Sequence, residues 1–341
     1  MQRKPDCCAT PISPLLTRRQ FMAQGAALGL ASASGLGLGA CQRRENLLRV
    51  ASNAWLGYEF IYLAQELGYF SREQIRLIEM PSATAVMQVL AGNTVEAACL
   101  TLDEVLTARA EGIDLVLVAV FDVSLGADVL LAQPGIQRLQ QLIGKRIGVE
   151  QTALGAVMLN AVLQRANLEP GDIEIVSLTV DRHREAFLKR RVDALITFEP
   201  VISQLLSSGA QKLFSSAEIP GQVMDVLCVQ RQYLNSHRNG ITHLVAGHFR
   251  AQADYLRQPE RHAESMARHL QLEAAQLPSA YTGLALPDIA QNHAWLGTKP
   301  ARLETQAAAL AQSMLKAGLL RQAVSTTGLA DARFLPALAG V

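Results

Sequence analysis

Cysteine is scarce in this 341-residue chain. Its five cysteines, Cys7, Cys8, Cys41, Cys99 and Cys228, make no CxxC pair and no Cys/His group at zinc spacing, which argues against a metal site. An excess of one charge is also missing. With a formal net charge of +1 and 18% charged residues, no large field exists to draw nucleic acid or an acidic bilayer. Aromatic residues are only 5%, so each Trp or Tyr near a turn stands out. The usual catalytic signatures are lacking: no Walker A, no GxGxxG behind a strand, and no nucleophile elbow with a Ser/His/Asp order. Neither a catalytic group nor a cofactor is therefore expected. What is present is apolar: half of the residues are hydrophobic, which excludes a disordered chain, and the length suits two lobes better than one core.

The first forty residues read as an address rather than as fold. Arg18 and Arg19 stand just before an uncharged stretch from Ala23 to Ala40, which ends in Leu38-Gly39-Ala40-Cys41. A positive flank, an apolar segment and small residues before a cut describe a signal peptide. The paired arginines with Phe21 resemble the twin-arginine export signal, and the last four residues resemble a lipobox, in which Cys41 is acylated. Residues 41–46 would then be a lipidated tether, on the cell membrane or the outer membrane. Cleavage removes Cys7 and Cys8 and leaves Cys99 and Cys228 in apolar runs, as buried thiols or as a disulfide.

Beyond the tether, strand and helix alternate. The pattern predicts strands at 47–52, 75–79, 95–101, 115–121 and 127–132, with helices at 59–67, 83–90 and 102–110 between them. Pro134-Gly135 breaks the pattern, and a second set begins. It predicts strands at 146–149, 173–178 and 194–197, and helices at 154–166, 184–189 and 201–207. A further strand is expected at 226–229, and helices from about His243 onward. This is α/β layering.

The two sets echo each other. Val95-Glu96-Ala97 leads to Thr101-Leu102-Asp103, and Val192-Asp193-Ala194 leads to Thr197-Phe198-Glu199. Ligands of open α/β sheets sit outside the carboxyl ends of strands. That rule selects Asn53, Trp55 and Tyr58 after the first strand, and Asp103 after the third. It selects Asp122, Ser124 and Asp128 after Phe121, Glu150 and Thr152 after Val149, Glu199 after Phe198, and Asp225 before the returning strand. Each has a plainer reading beside it. Trp55 and Tyr58 stack on a flat or cationic ligand, or staple a helix start. Asp103, Glu150 and Thr152 bind ligand, or cap helices. The Asp122–Asp128 loop approaches a ligand amine, or is an ordinary turn. His183, between Arg182 and Arg184, reads as a solvated surface residue, as do His262 and His269.

The run from Ser52 to Tyr69 resembles the opening of the nitrate/sulfonate/taurine and thiamine-pyrimidine-precursor binding proteins of ABC importers, the NMT1/THI5-like superfamily. Leu90-Ala91-Gly92 with Val95 to Ala98, Gly144 to Val149, and Val192-Asp193-Ala194 with Glu199-Pro200 resemble the motifs that follow, in the same order. The resemblance implies a two-lobed periplasmic-binding-protein fold of type II, with two chain crossings and a cleft between the lobes. Lobe 1 would be 47–132 plus 226–341, and lobe 2 would be 133–225. It implies a periplasmic solute carrier, expected as a monomer, that hands its ligand to a permease with its ATPase. The chain departs from the anion binders, because carboxylates rather than Arg or Lys stand at the strand ends. A desolvated sulfonate or nitrate would be repelled there. The expected ligand is therefore a small cation or heteroaromatic amine. A sensor of the same fold, an anion carrier and, last, a pyrimidine-synthesis enzyme remain as alternatives.

Overall fold

The computed structural model describes residues 46–338. The expected leader, the acylation site Cys41 and the tether up to residue 45 lie outside the described residues.

Two sheets organise the chain. The strands are β1 (Leu48–Asn53), β2 (Ile75–Met80), β3 (Ala97–Thr101), β4 (Leu115–Ser124), β5 (Asp128–Ala132), β6 (Arg146–Val149), β7 (Glu174–Ser177), β8 (Ala194–Phe198), β9 (Gln211–Ser215), β10 (Met224–Gln230) and β11 (Leu284–Ala285). The first sheet has the order β11-β4-β10-β3-β1-β2, and the second β7-β6-β8-β5-β9. In the first, β2, β1 and β3 run parallel, while β10 is antiparallel to both β3 and β4. All ten residues of β4 and all seven of β10 are buried, which is why both read as near-continuous apolar runs rather than alternating ones.

Helices cover the sheets. Those of the first half are α1 (Glu59–Glu66), α2 (Ala83–Ala91) and α3 (Leu102–Ala110). Around the second sheet lie α4 (Ala153–Ala166), α5 (Val180–Leu188) and α6 (Val201–Leu206). The C-terminal part adds α7 (Arg238–Arg257), α8 (Pro259–His269), α9 (Leu277–Ala280), α10 (Ile289–Leu296) and α11 (Arg302–Lys316). Local signals set several boundaries. Ser82 accepts from the Ala85 N–H to start α2, and Thr152 accepts from the Gly155 N–H to start α4. Among the described residues, no helix is long and apolar enough to cross a membrane.

The strand at 127–132 corrects the sequence reading. It was expected in lobe 1, and instead it pairs antiparallel with β8 and β9 in the second sheet. Leu130 and Ala132 pack with Met158 and Val162 of α4, and Val129 and Leu131 pack with Phe187 and Leu205 on the other face. A strand buried on both faces shows its burial in sequence but not its partner. The forward crossing therefore lies at 124–128, not after residue 132. Two further strands carry too little apolar pattern to be read: β9, Gln-Lys-Leu-Phe-Ser, and the two-residue β11. Helix α5 begins four residues earlier than expected, and α7 begins at Arg238.

Ser124 pins the two crossings together. Its N–H donates to Val223 O at 3.0 Å, and its hydroxyl meets that of Ser216 at 2.7 Å. The Ser216 hydroxyl also accepts from the Gly126 N–H at 2.7 Å. Cys99 and Cys228 are buried on adjacent strands and are free thiols; the Cys228 Sγ lies 3.2 Å from Ala98 O.

Candidate functional site

Sheet direction gathers the site. Because β10 runs against β3 and β4, its first residues meet their last ones. Asp225 is in register with Asp122 on one side and with Thr101 on the other, so three strands present a single polar row at the edge of the first sheet. Carboxylates directly opposite one another across a ladder repel, so such a row is stable only where protons or partners intervene.

The turn after β1 supplies the partners. Trp55 donates its indole N–H to Asp122 Oδ2 at 3.0 Å, and the Tyr58 hydroxyl donates to Asp225 Oδ1 at 2.5 Å. Gly57 lies between them in sequence. A Cβ there would sit 1.6 Å from Asp122 Oδ2, so the carboxyl occupies the space a side chain would fill. From the second lobe, Phe198 sets its ring edge-on to Trp55 with centroids 5.3 Å apart.

A small cavity lies in this angle between the two sheets. Asn53, Trp55 and Tyr58 line it from the first turn, Thr101, Glu104 and Asp225 from the polar row, and Ala83 from α2. Asp128, Leu154 and Phe198 close it from the other side. The free space is about 20 Å³, enough for about one water. Admission of a ligand of several atoms requires the lobes to separate.

Among the described residues, no basic side chain lines this cavity. Glu104, Asp128 and Asp225 line it with buried carboxyl groups, and Asp103 and Asp122 are buried nearby, each repelled by Asp128. Both oxygens of Asp103, Oε1 of Glu104, Oδ1 of Asp122 and Oδ2 of Asp128 lack a hydrogen-bond partner. Burial pushes Asp103 and Asp122 up to about 7, Glu104 up to about 8 and Asp128 up to about 6. Asp225 is raised well above its usual range, by burial and then by the neighbouring Asp122. Among the described residues, no group of three or more His, Cys, Asp or Glu side chains is placed to hold a metal ion.

The predicted residues divide by place. Asn53, Trp55, Tyr58, Asp128 and Asp225 line the cavity, while Asp122 and Asp103 are buried beside it. Four others are turned to different partners. Ser124 holds the crossings, as described above. Thr152 caps α4. Glu199 accepts from the Ser203 N–H at 3.0 Å and from its hydroxyl at 2.8 Å, and so caps its own helix α6. Glu150 reaches across to α2 and α5. Sequence reasoning missed Ala83, Thr101, Glu104, Leu154 and Phe198. One signal was available: Thr101-x-x-Glu104 is a helix-start pattern, and the Glu104 carboxylate does accept from the Thr101 N–H at 3.0 Å.

The histidines correct the reading as well. His183 is buried, with Nδ1 3.1 Å from the Thr197 hydroxyl and Nε2 3.2 Å from Leu178 O, and burial holds it down at about 4. His262 is buried. His269 is half-buried and bridges Glu59 at 2.7 Å and Glu79 at 3.0 Å. His248, not singled out in the sequence, stacks on Phe121 at 3.8 Å, and burial lowers it to about 3.

Known proteins resemble this chain at two levels. A family model described as NMT1/THI5 like matches residues 57–262. The taurine-binding periplasmic protein of Escherichia coli (strain K12) is 22% identical over 205 residues, which is 58% of this chain and 63% of that protein. The chain thus spans less than two thirds of that relative's length. Among solved structures, the alkanesulfonate-binding protein SsuA from Xanthomonas axonopodis pv. citri, bound to MOPS, superposes with a TM-score of 0.70 at 19% identity, over 83% of this chain and 97% of that one. The desulfurization enzyme DszB superposes with a TM-score of 0.59 at 16% identity, over 84% and 97%. These likenesses establish the two-lobed, type II periplasmic-binding-protein fold. That fold serves carriers and an enzyme alike, so the chemistry must be argued from the site.

Proposed function

Since the chain belongs to the NMT1/THI5-like family, we propose that it is an extracytoplasmic solute-binding protein, and not an enzyme, that delivers a small cationic or heteroaromatic amine to an ABC importer. One observation carries the choice of ligand: three buried carboxyl groups, Glu104, Asp128 and Asp225, line the cavity, and among the described residues no basic side chain does. A sulfonate about 4 Å from one ionised carboxylate would be repelled by about 4 kcal/mol at an effective dielectric constant of about 20. An ammonium group would be attracted by as much. Trp55 and Tyr58 would contribute ring faces, and closure of the lobes would enclose the ligand without making or breaking a bond. The partners on this reading are the permease and its ATPase. The carrier acts as a monomer in the periplasm, held through an acylated Cys41 to the cell membrane or the outer membrane.

The relative named for taurine favours a second reading, in which the cleft takes a sulfonate. Taurine carries both an ammonium and a sulfonate, so three probes separate the readings: ethylamine, ethanesulfonate and taurine, tested with a panel of heteroaromatic amines by thermal shift. A ligand at about 100 times its Kd adds about 2.7 kcal/mol, which moves the melting midpoint by several degrees. A shift from amines alone supports the cation reading. A shift from ethanesulfonate alone replaces it with the anion reading.

A further inference from the structure

Glu150 stands at the end of β6 in the second sheet, yet its side chain serves the first. Its Oε1 accepts from the Thr84 N–H at 2.8 Å and from the Thr84 hydroxyl at 2.5 Å. Thr84 is the second residue of α2, which packs on β1 of the first sheet. Its Oε2 accepts from the N–H of Val180, the first residue of α5, at 3.3 Å. Three donors from the first turns of two helices, one in each lobe, thus converge on a single buried carboxylate. Both helices are nine residues long, and each turns the positive end of its dipole and its unpaired N–H groups toward that point. Such a donor set is complementary to an oxyanion. Here the protein's own carboxylate fills it. The contact belongs to a wider closure: Val157 of α4 is packed into the core of the first lobe, and Trp55 meets Phe198 across the gap.

We propose that Glu150 is a specificity-determining latch, a built-in anion that joins the lobes and denies the converging donors to any oxyanion a ligand could bring. The inference rests on the reading of the cleft between the lobes as the ligand site, and it deepens that reading. Without Glu150 the donors are unpaired, and the cleft loses one negative charge. An oxyanion can then take the vacated place. Ligands that lack an oxyanion need no such place, so Glu150 sorts them without touching them.

The test uses the purified protein, its Glu150→Ala and Glu150→Gln variants, and inorganic sulfate and ethanesulfonate as probes. Calorimetry reads binding, and hydrogen exchange over residues 83–86 reads the latch. Glu150→Ala should bind sulfate or ethanesulfonate at least about tenfold more tightly than the parent, a change of about 1.4 kcal/mol. Its exchange over 83–86 should speed up, and the added anion should slow it again. Glu150→Gln keeps one acceptor oxygen without the charge, so its exchange should lie between the other two; it also serves if the alanine variant does not fold. The proposal is overturned if the parent binds either anion as tightly as the variants, or if exchange over 83–86 is the same in all three. Amine binding to the parent, with no gain of anion binding in the variants, would sink the latch and leave the cation reading standing. Anion gain in the variants, with no amine binding to the parent, would do the reverse.

Discussion

The Asp122 carboxyl lies in the space where Gly57 would otherwise carry a side chain: a Cβ on Gly57 would be 1.6 Å from Asp122 Oδ2. Trp55 fixes that same oxygen from the other side through its indole N–H. Two residues of one turn therefore set one carboxyl of a strand more than sixty positions away.

Gly57→Ala should consequently behave as a site variant. The Asp122 carboxyl must move and lose its bond to Trp55, at a stability cost of about 1–3 kcal/mol. Affinity for the amine ligand should fall at least about tenfold. The double variant with Asp122→Ala should cost less than the two single changes together, because both act through one carboxyl. Additive losses, read by denaturation and calorimetry, would show that Gly57 acts elsewhere.

Stability should fall as pH rises. Burial pushes the carboxyls of Asp103, Glu104, Asp122 and Asp128 up to about 6 to 8 in the fold against 3.8 to 4.5 ordinarily, and Asp225 is likewise raised well above its usual range. The folded chain thus holds protons that the unfolded chain releases. Their contribution is full below about pH 4 and is lost as pH rises through 6 to 8. The melting midpoint of the ligand-free protein should drop between pH 5 and pH 8, and Asp225→Asn should flatten the drop. A flat or rising profile in the parent would contradict the buried acid cluster.

His183 and His248 work in the opposite direction. Burial holds them at about 4 and about 3 against an ordinary 6.5. Their contribution is full above about pH 6.5 and is lost as pH falls through the folded values. His248→Phe retains the ring against Phe121 and removes this opposing slope. The fall in melting midpoint between pH 5 and pH 6.5 should therefore be steeper in the variant than in the parent. An unchanged slope would mean that His248 is protonated in the fold.

Binding of an amine should release protons from the cluster. Affinity should rise between pH 6 and pH 8, and calorimetry in buffers of different ionisation heat should give a buffer-dependent binding enthalpy. A binding enthalpy independent of the buffer would show that the carboxyls are already ionised before the ligand arrives.

Fluorescence offers a direct view of the cleft. Trp55 and Trp295 are the two tryptophans of the chain, and only Trp55 lines the cavity and meets Phe198 of the other lobe. The emission change on adding ligand should survive Trp295→Phe and vanish in Trp55→Phe. Survival in Trp55→Phe would place the binding event away from this cavity.

Much of this molecule was legible in the sequence, because most of its elements are set by local pattern. The apolar runs at 115–121 and 226–229 mark buried strands, and Ser82 and Thr152 begin their helices by bonding to residues three positions on. The rule that ligands sit at strand ends selects Asn53, Trp55, Tyr58, Asp128 and Asp225, and the fold gathers these five around one cavity. Glu104 and Phe198 stand at the same strand ends, but in sequence the first reads as a helix-start residue and the second as the apolar end of a strand.

What the sequence by itself determined is the alternation of strand and helix, the polarity of the strand ends and the dearth of basic groups among them. Those follow from side-chain chemistry and short-range periodicity. The tertiary structure alone decided which sheet takes Asp128–Ala132, which strands bring Asp122, Asp225 and Thr101 into one row, and that Glu150 turns to Thr84 of the other lobe. Each of these is a pairing between segments far apart in the chain. An apolar strand or a lone carboxylate states that it needs a partner, but the partner is chosen by register, packing and the closure of two lobes.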